Sequence, residues 1–225
     1  MPNAVAIESS GAHLSFAVAR RGQIVNSALF DAQWRHEKIF WRRFPRLLEN
    51  SKIKLKDMDF FATTRGPGRF TGIRLSLTIV NTWSWLLKKP VFAPTTLELM
   101  AWQARQEKGQ LIALTAFSGA VVASQTNRQG ILCEPKTFVN LEAFFKKASS
   151  SVKKARLIYY AQPNLKEEIK RQALQAGFAD AKAVVPSARQ LLSFAQVRPK
   201  DQKLWRRPAK LPAPLYLKQN WPFIS

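Results

Sequence analysis

The run TTRGPGRFTGIRLSL, residues 63–77, decides how the rest of the chain is read. It crowds three glycines and a proline into a few positions and then passes straight into an apolar segment. A Walker phosphate loop requires its closing glycine to be followed by Lys and then Ser or Thr, whereas Gly72 is followed by Ile73 and Arg74. The dinucleotide fingerprint GxGxxG is also unmet, because the gap between Gly68 and Gly72 is one residue too long. What the residues do supply is a sharp turn: proline fixes φ at position 67, and the flanking glycines accept φ > 0. Thr71 then stands where a helix N-cap belongs, and a helix is expected over residues 72–87. The N–H groups of its first turn, assisted by Arg69 and Arg74, could hold an anion. Gly66, Gly68, Arg69, Thr71, Gly72 and Arg74 are therefore either an anion site or a turn that launches a helix.

Working outward, residues 3–8 (NAVAIE) read as a buried strand. Residues 13–19 and 23–30 read as two more, joined at Arg21–Gly22 into a meander. Ile39, Phe40, Phe44, Leu47 and Leu48 recur at helical spacing over residues 34–50, where Pro45 should kink or restart the helix. The outer side of that helix carries Arg35, Lys38, Arg42, Arg43 and Arg46. A strand over 58–63 precedes the glycine run. The 72–87 helix ends at Lys88–Lys89–Pro90, a short strand covers 91–93, and Thr95 or Thr96 caps a helix reaching about Glu107. The second half repeats this alphabet: strands at 111–115, 120–126, 157–160 and 183–185, with helices at 141–147, 165–176 and 189–195. From Arg198 the chain turns Pro- and Lys-rich. A meander followed by mixed elements suits a two-lobed α/β architecture. We expect a first lobe at 1–102, a second at 103–197 and a basic C-terminal segment at 198–225.

With 225 residues, 46% of them hydrophobic, the chain can bury a real core. No apolar run approaches the roughly 20 residues that cross a bilayer, so no membrane contact is expected. The opening MPNAVAIESS lacks a basic region followed by a long apolar stretch, so no signal peptide is expected. Cys133 is the sole cysteine, and a cytoplasmic location is the default. The charge is the outlier: 36 Lys and Arg against 14 acids give +22, a balance that attracts polyanions such as tRNA.

Beyond the turn, longer stretches match a known family. RGPGRFTGIRLSL resembles the GRGPGSFTGLRIGL segment of the TsaB (YeaZ) family, the non-catalytic partner of TsaD in making N6-threonylcarbamoyladenosine in tRNA. AVAIESSGAHLSFAV resembles that family's LAIDTSTxxxSVAL opening, KKPVFAPTTLELMA its GIPLVGVSTLEALA, and APLYLKQN its terminal PxYLR. Coverage is strong for residues 4–102 and thin from 103 to 210. The resemblance implies an actin-like, Hsp70-like fold whose first lobe pairs with the matching lobe of a TsaD-type protein through two helices from each chain. By position those helices are 34–50 and 72–87, which makes Ile39, Phe40, Arg43, Leu47, Ile73, Leu77, Val80, Trp83 and Leu87 the expected interface. It further implies no catalytic residue, metal or cofactor in this chain, with ATP or ADP and metal on the partner. A TsaE-type ATPase is a further candidate partner, tRNA is met through the complex, and a homodimer is an expectation for the free chain.

Two enzymatic readings compete with this one. Glu8 stands where TsaB proteins usually have Asp and the catalytic TsaD family has Glu. TsaD, however, binds metal through a His-x-x-x-His pair, and His13 and His36 form no such pair. An actin-like ATPase could use Glu8, Ser9 and Ser10 at its first phosphate turn, but the second half offers no DxG-type turn. LTAFSGAVV aligns with the family's IDARxGEVY and puts Thr115, Phe117, Ala120 and Val122 at its polar positions, so any function of that cleft is in doubt. Direct tRNA contact is assigned to Arg35, Arg42 and Arg46, or to a flexible tail with Lys203, Arg206 and Arg207 around Trp205. A stand-alone RNA-binding protein on a degenerate actin-like fold is the alternative function.

Overall fold

The computed structural model describes residues 2–105, 109–117, 120–127, 131–149, 155–199 and 201–215. Its first sheet begins with β1 (Ala4–Glu8), β2 (His13–Arg20) and β3 (Gln23–Asp31), an antiparallel meander. β4 (Phe60–Thr63) and β5 (Val91–Phe92) add in parallel beyond β1. The second sheet has β6 (Leu111–Phe117), β7 (Ala120–Gln125) and β8 (Lys136–Phe138) as its meander, with β9 (Arg156–Ala161) and β10 (Asp180–Ala183) added in parallel. Strand order is β5-β4-β1-β2-β3 in one and β10-β9-β6-β7-β8 in the other, so the two lobes share one topology. The helices repeat too. α1 (His36–Asn50) and α4 (Leu141–Ala148) follow the meanders, α2 (Phe70–Leu87) and α5 (Lys166–Gln175) link the parallel strands, and α3 (Thr96–Gln103) and α6 (Ala188–Val197) close each half. This is the two-lobed actin-like α/β fold.

Hydrophobic burial explains the layering. Residues facing one side of the first sheet, among them Val5, Ile7, Phe16 and Phe61, pack beneath α1 and α2. Phe16 meets Phe40 and Phe44 edge-on, and Phe44 stacks on Trp83 of α2 at 5.0 Å. The opposite side is lined largely by alanine, which brings α6 close: Ala4, Ala6, Ala17 and Ala62 lie under Leu191, Leu192 and Ala195. α6, reckoned with residues 103–197 in the sequence, thus packs on the first sheet. α3 reciprocates by placing Leu97, Met100 and Ala104 against Leu111, Ala113 and Ile158 of the second. Each half therefore sends its last helix onto the other half's sheet.

Several expectations are corrected. α1 begins at His36 because Gln33 and Trp34 have φ of 39° and 76°, outside the helical region. It runs unbroken through Pro45, which faces solvent while Phe40, Phe44 and Leu47 on the other side are anchored in the core. α3 ends at Gln103, and residues 106–108 lie outside the described set. Its start is as expected: Thr95 Oγ1 accepts the Glu98 N–H and Glu98 Oε2 accepts the Thr95 N–H, a full capping box. β10 covers 180–183 rather than 183–185, because its parallel register with β9 runs from Asp180–Arg156 to Ala183–Tyr159.

The C-terminal segment is not a free tail as far as residue 215. β11 (Trp205–Arg206) pairs antiparallel with β5, and the Leu215 N–H donates to the Arg65 carbonyl at 2.7 Å. The Trp205 ring packs against Phe60 and Phe92, and its indole N–H donates to the Arg198 carbonyl. The tryptophan offered in the sequence for base stacking is therefore engaged in the first lobe. Residues 216–220 of the PxYLR-like motif lie outside the described residues. Trp205→Ala should lower stability by about 3 kcal/mol in urea unfolding, the lower end for deleting a largely packed aromatic. A cost within experimental error would show that the segment is not held.

Candidate functional site

The glycine turn and the β1–β2 turn meet as bare backbone. A Cβ on Gly72 would lie 1.9 Å from the Ser9 carbonyl oxygen, and one on Gly68 would lie 2.1 Å from that of Ser10. Only glycine fits at such separations. Ser9 Oγ donates to the Gly72 carbonyl at 2.7 Å, and the Arg69 N–H donates to the Ser10 carbonyl at 2.6 Å. That contact moves the start of α2: Arg69 is its N-cap, the Ile73 N–H donates to the Arg69 carbonyl, and Thr71 lies exposed inside the first turn. No side chain caps the helix; the tertiary contact pairs the Arg69 N–H itself with the Ser10 carbonyl. Gly66 has φ +94°, as the turn reading requires.

Glu8 sits beneath this contact, fully buried. Its Oε1 accepts the Ser10 N–H and the Thr64 hydroxyl, each at 2.9 Å, while Oε2 has no partner of good geometry. Burial raises its pKa above the ordinary carboxylate value, against the opposing effect of the Ser10 and Thr64 hydrogen bonds. Burial thus shifts the balance toward the neutral acid, and the side chain lies inside the lobe, out of reach of solvent.

Across the lobe boundary, Tyr160 of β9 closes over the same turn. A Cβ on Gly11 would overlap its hydroxyl at 2.1 Å, and that hydroxyl lies 3.2 Å from His13 Nδ1. Burial raises the Tyr160 pKa, with the Glu8 carboxyl adding to it. The His36 ring nitrogen Nε2 lies 3.0 Å from the Gly11 carbonyl, and burial lowers the His36 pKa. Arg69 lays its guanidinium 3.7 Å over the Trp34 ring and is itself buried. Burial lowers its pKa. Phe117 and Val122, at positions where the family pattern is polar, join the packing under α3, and Phe117 meets Tyr160 edge-on at 4.9 Å. Ser9, Ser10 and Gly11 thus carry protein on both sides.

Most of the residues expected to meet a partner are turned inward, while Arg43 is exposed. Phe40, Leu47, Ile73, Leu77 and Val80 are buried within the chain's own first lobe, and Ile39, Trp83 and Leu87 are half-buried against the same core. What α2 presents outward is Phe70, Thr71, Arg74, Thr78, Thr82, Trp85 and Leu86, a stripe at helical spacing. Trp85 and Leu86 are 57% and 60% exposed. α1 adds Trp41, 64% exposed, on the flank away from β3. The sequence could not separate these faces because apolar residues occur all round α2.

The basic residues divide as well. Arg35, Lys38, Arg42 and Arg43 line a groove between α1 and the end of β3, with Arg46 one turn further along α1. Lys203, Arg206 and Arg207 belong to the strap beside β5, at the opposite edge of the first sheet.

A family model described as "TsaD: tRNA N6-adenosine threonylcarbamoyltransferase" matches residues 30–197. The tRNA threonylcarbamoyladenosine biosynthesis protein TsaB of Buchnera aphidicola subsp. Schizaphis graminum is 30% identical over 195 residues, 84% of this chain and 91% of that protein. The chain belongs to the TsaB (YeaZ) family. The Bacillus subtilis TsaB is 26% identical over 105 residues, 47% of this chain and 46% of its own. YeaZ from Pseudomonas aeruginosa superposes with a TM-score of 0.72 at 21% identity, covering 96% of this chain and 100% of that one, and shares the fold. Among the described residues no helix is long and apolar enough to cross a membrane.

Gly72→Ala should cost about 3 kcal/mol in urea unfolding, the upper end for overpacking, because the atom its Cβ meets is backbone. A change below about 1 kcal/mol would show that the two turns can separate. Glu8 gives a pH signature. A carboxyl whose folded pKa is raised contributes stability that is complete below the unfolded value of 4.5 and lost as pH rises through the folded value. Glu8→Gln removes that loss, so its stability relative to wild type should rise as pH increases above 4.5. Parallel profiles would mean that folding does not raise the Glu8 pKa.

Proposed function

We propose that this protein is a non-catalytic TsaB-type subunit that pairs with a TsaD-type protein and supports threonylcarbamoylation of adenosine 37 in tRNA. Membership of the TsaB family supports the pathway. The outward stripe of α2 carries the pairing: Trp85 and Leu86 lie exposed on a helix whose inner face already fills the first-lobe core. Trp41 of α1, in the same layer, extends this surface. Two side-by-side helices with outward aromatics suit a partner that offers two helices of its own, at the 8–10 Å spacing of packed helices.

The non-catalytic assignment rests on the closed turn. Glu8 is fully buried, and Ser9 and Ser10 are occupied by the backbone of the glycine run on one side, with Tyr160 beyond Gly11 on the other. A carboxyl in that state has no path to a substrate. Nucleotide and metal chemistry in this reading belongs to the TsaD-type partner.

The test is co-expression with the TsaD-type protein of the same genome, followed by size-exclusion chromatography with light scattering. A one-to-one complex is expected, and Trp85→Arg should weaken it by at least about thirtyfold, the effect of losing an interface hot spot. The substitution is on the surface, so the free variant should keep its wild-type unfolding midpoint. A wild-type chain that forms no complex, or a variant that binds equally well, overturns the pairing through α2.

A further inference from the structure

We propose that the groove between β3 and α1 is a docking site for single-stranded RNA, taking phosphates along its floor and an unpaired base on Trp34. The groove, of about 440 Å³, has Leu29, Phe30 and Asp31 on the β3 side and Arg35, Lys38, Ile39, Arg42 and Arg43 on the α1 side. Four cations therefore face one carboxylate, and Asp31 already accepts a hydrogen bond from Gln33 Nε2 at 3.0 Å. None of the four forms an ion pair with a described carboxylate. Arg43 lies 5.8 Å over the Phe30 ring, which holds its charge at the groove wall.

The second observation is independent of charge. Trp34 immediately precedes the groove residue Arg35 in the chain, has a left-handed φ of 76°, and remains 72% exposed. Arg69 covers one side of its ring at 3.7 Å and leaves the other available. An indole fixed from behind by a buried arginine is a rigid platform for a flat, uncharged ring. Phosphates beside it and a base upon it match the two halves of a nucleotide, whereas an acidic polypeptide would use only the cations. Single-stranded nucleic acid is bound by this combination of a cationic track and an aromatic shelf. The groove is on the flank of α1 away from Trp41, so it stays open whether or not the outward face of α2 is covered. This inference needs only the isolated chain and stands or falls apart from the pairing proposed above.

Fluorescence anisotropy with a labelled 12-nucleotide single-stranded RNA tests it on the full chain. Arg35→Gln/Lys38→Gln/Arg42→Gln should weaken binding at least tenfold and flatten the dependence of log affinity on log salt, by about 0.7 for each phosphate no longer held. Lys203→Gln/Arg206→Gln/Arg207→Gln removes the same charge from the opposite edge of the sheet and should change affinity less than threefold. Trp34→Ala should lose roughly five- to hundredfold with the salt slope unchanged, and Trp34→Phe should recover most of it. Equal losses in the two triple variants would reduce the effect to net charge and overturn the proposal. So would an unaffected Trp34→Ala variant, or binding of polyglutamate in preference to RNA.

Discussion

Everything in the first lobe is arranged around one contact, the backbone of residues 68–72 lying against the carbonyls of Ser9 and Ser10. Bringing two chains to that separation excludes every side chain larger than hydrogen, which is why glycine occupies positions 68 and 72. The contact sets where α2 begins: with its N–H held by the Ser10 carbonyl, Arg69 stays extended while its own carbonyl accepts the Ile73 N–H, which makes it the cap. It also fixes the direction in which α2 leaves, and hence the pairing of Trp83 with Phe44 that joins α2 to α1 above the sheet. Glu8 beneath is the electrostatic consequence. With its surroundings desolvated by the turn, the neutral form is favoured, and two hydrogen bonds to one oxygen do not reverse that.

Much of this could be read before any coordinates. The turn at Gly66–Pro67–Gly68, the meander, the helix after it and the Thr95 cap are local features whose residues carry their own conformational reasons. Others depended on distant parts of the chain. Thr71 is a good capping residue in a plausible place, but the Ser10 carbonyl arrived first. Pro45 is a helix breaker by propensity, and the burial of Phe40, Phe44 and Leu47 outweighs it. β11 comprises two residues with no periodicity, and the aromatic pocket of Phe60 and Phe92 that holds Trp205 is assembled from strands more than a hundred residues earlier. The family resemblance supplied the two-lobed fold, but it could not say which sides of α1 and α2 face inward.

The duplicated topology was the least legible feature of all. The two halves share strand order and helix order without sharing visible sequence, because the constraint common to them is a pattern of connections rather than of residues. Where their chemistry diverges, the burial is informative. The first sheet meets α6 through alanines and the second meets α3 through larger side chains such as Ile158 and Tyr160. Phe117 and Val122 belong to that second packing. Positions 117 and 122, polar in the family pattern, have here been given to the core, so packing around Tyr160 joins its hydroxyl's contact with His13 at the boundary between the lobes.

That leaves the surfaces. One edge of the first sheet is covered by the strap at β11, and β3 forms the other, nine residues long with Val25 and Leu29 exposed. An uncovered strand of this kind invites a second copy to pair edge to edge. Beside it stand Arg35, Lys38, Arg42 and Arg43, and a second copy would bring the same four charges into the same place. Like charges brought within the roughly 10 Å screening length at 0.1 M salt repel, so these cations work against such edge pairing. The same cations attract a polyanion. The charge is concentrated on one flank of α1 rather than spread over the strand, and it lies apart from the outward face of α2 proposed for pairing with a TsaD-type protein.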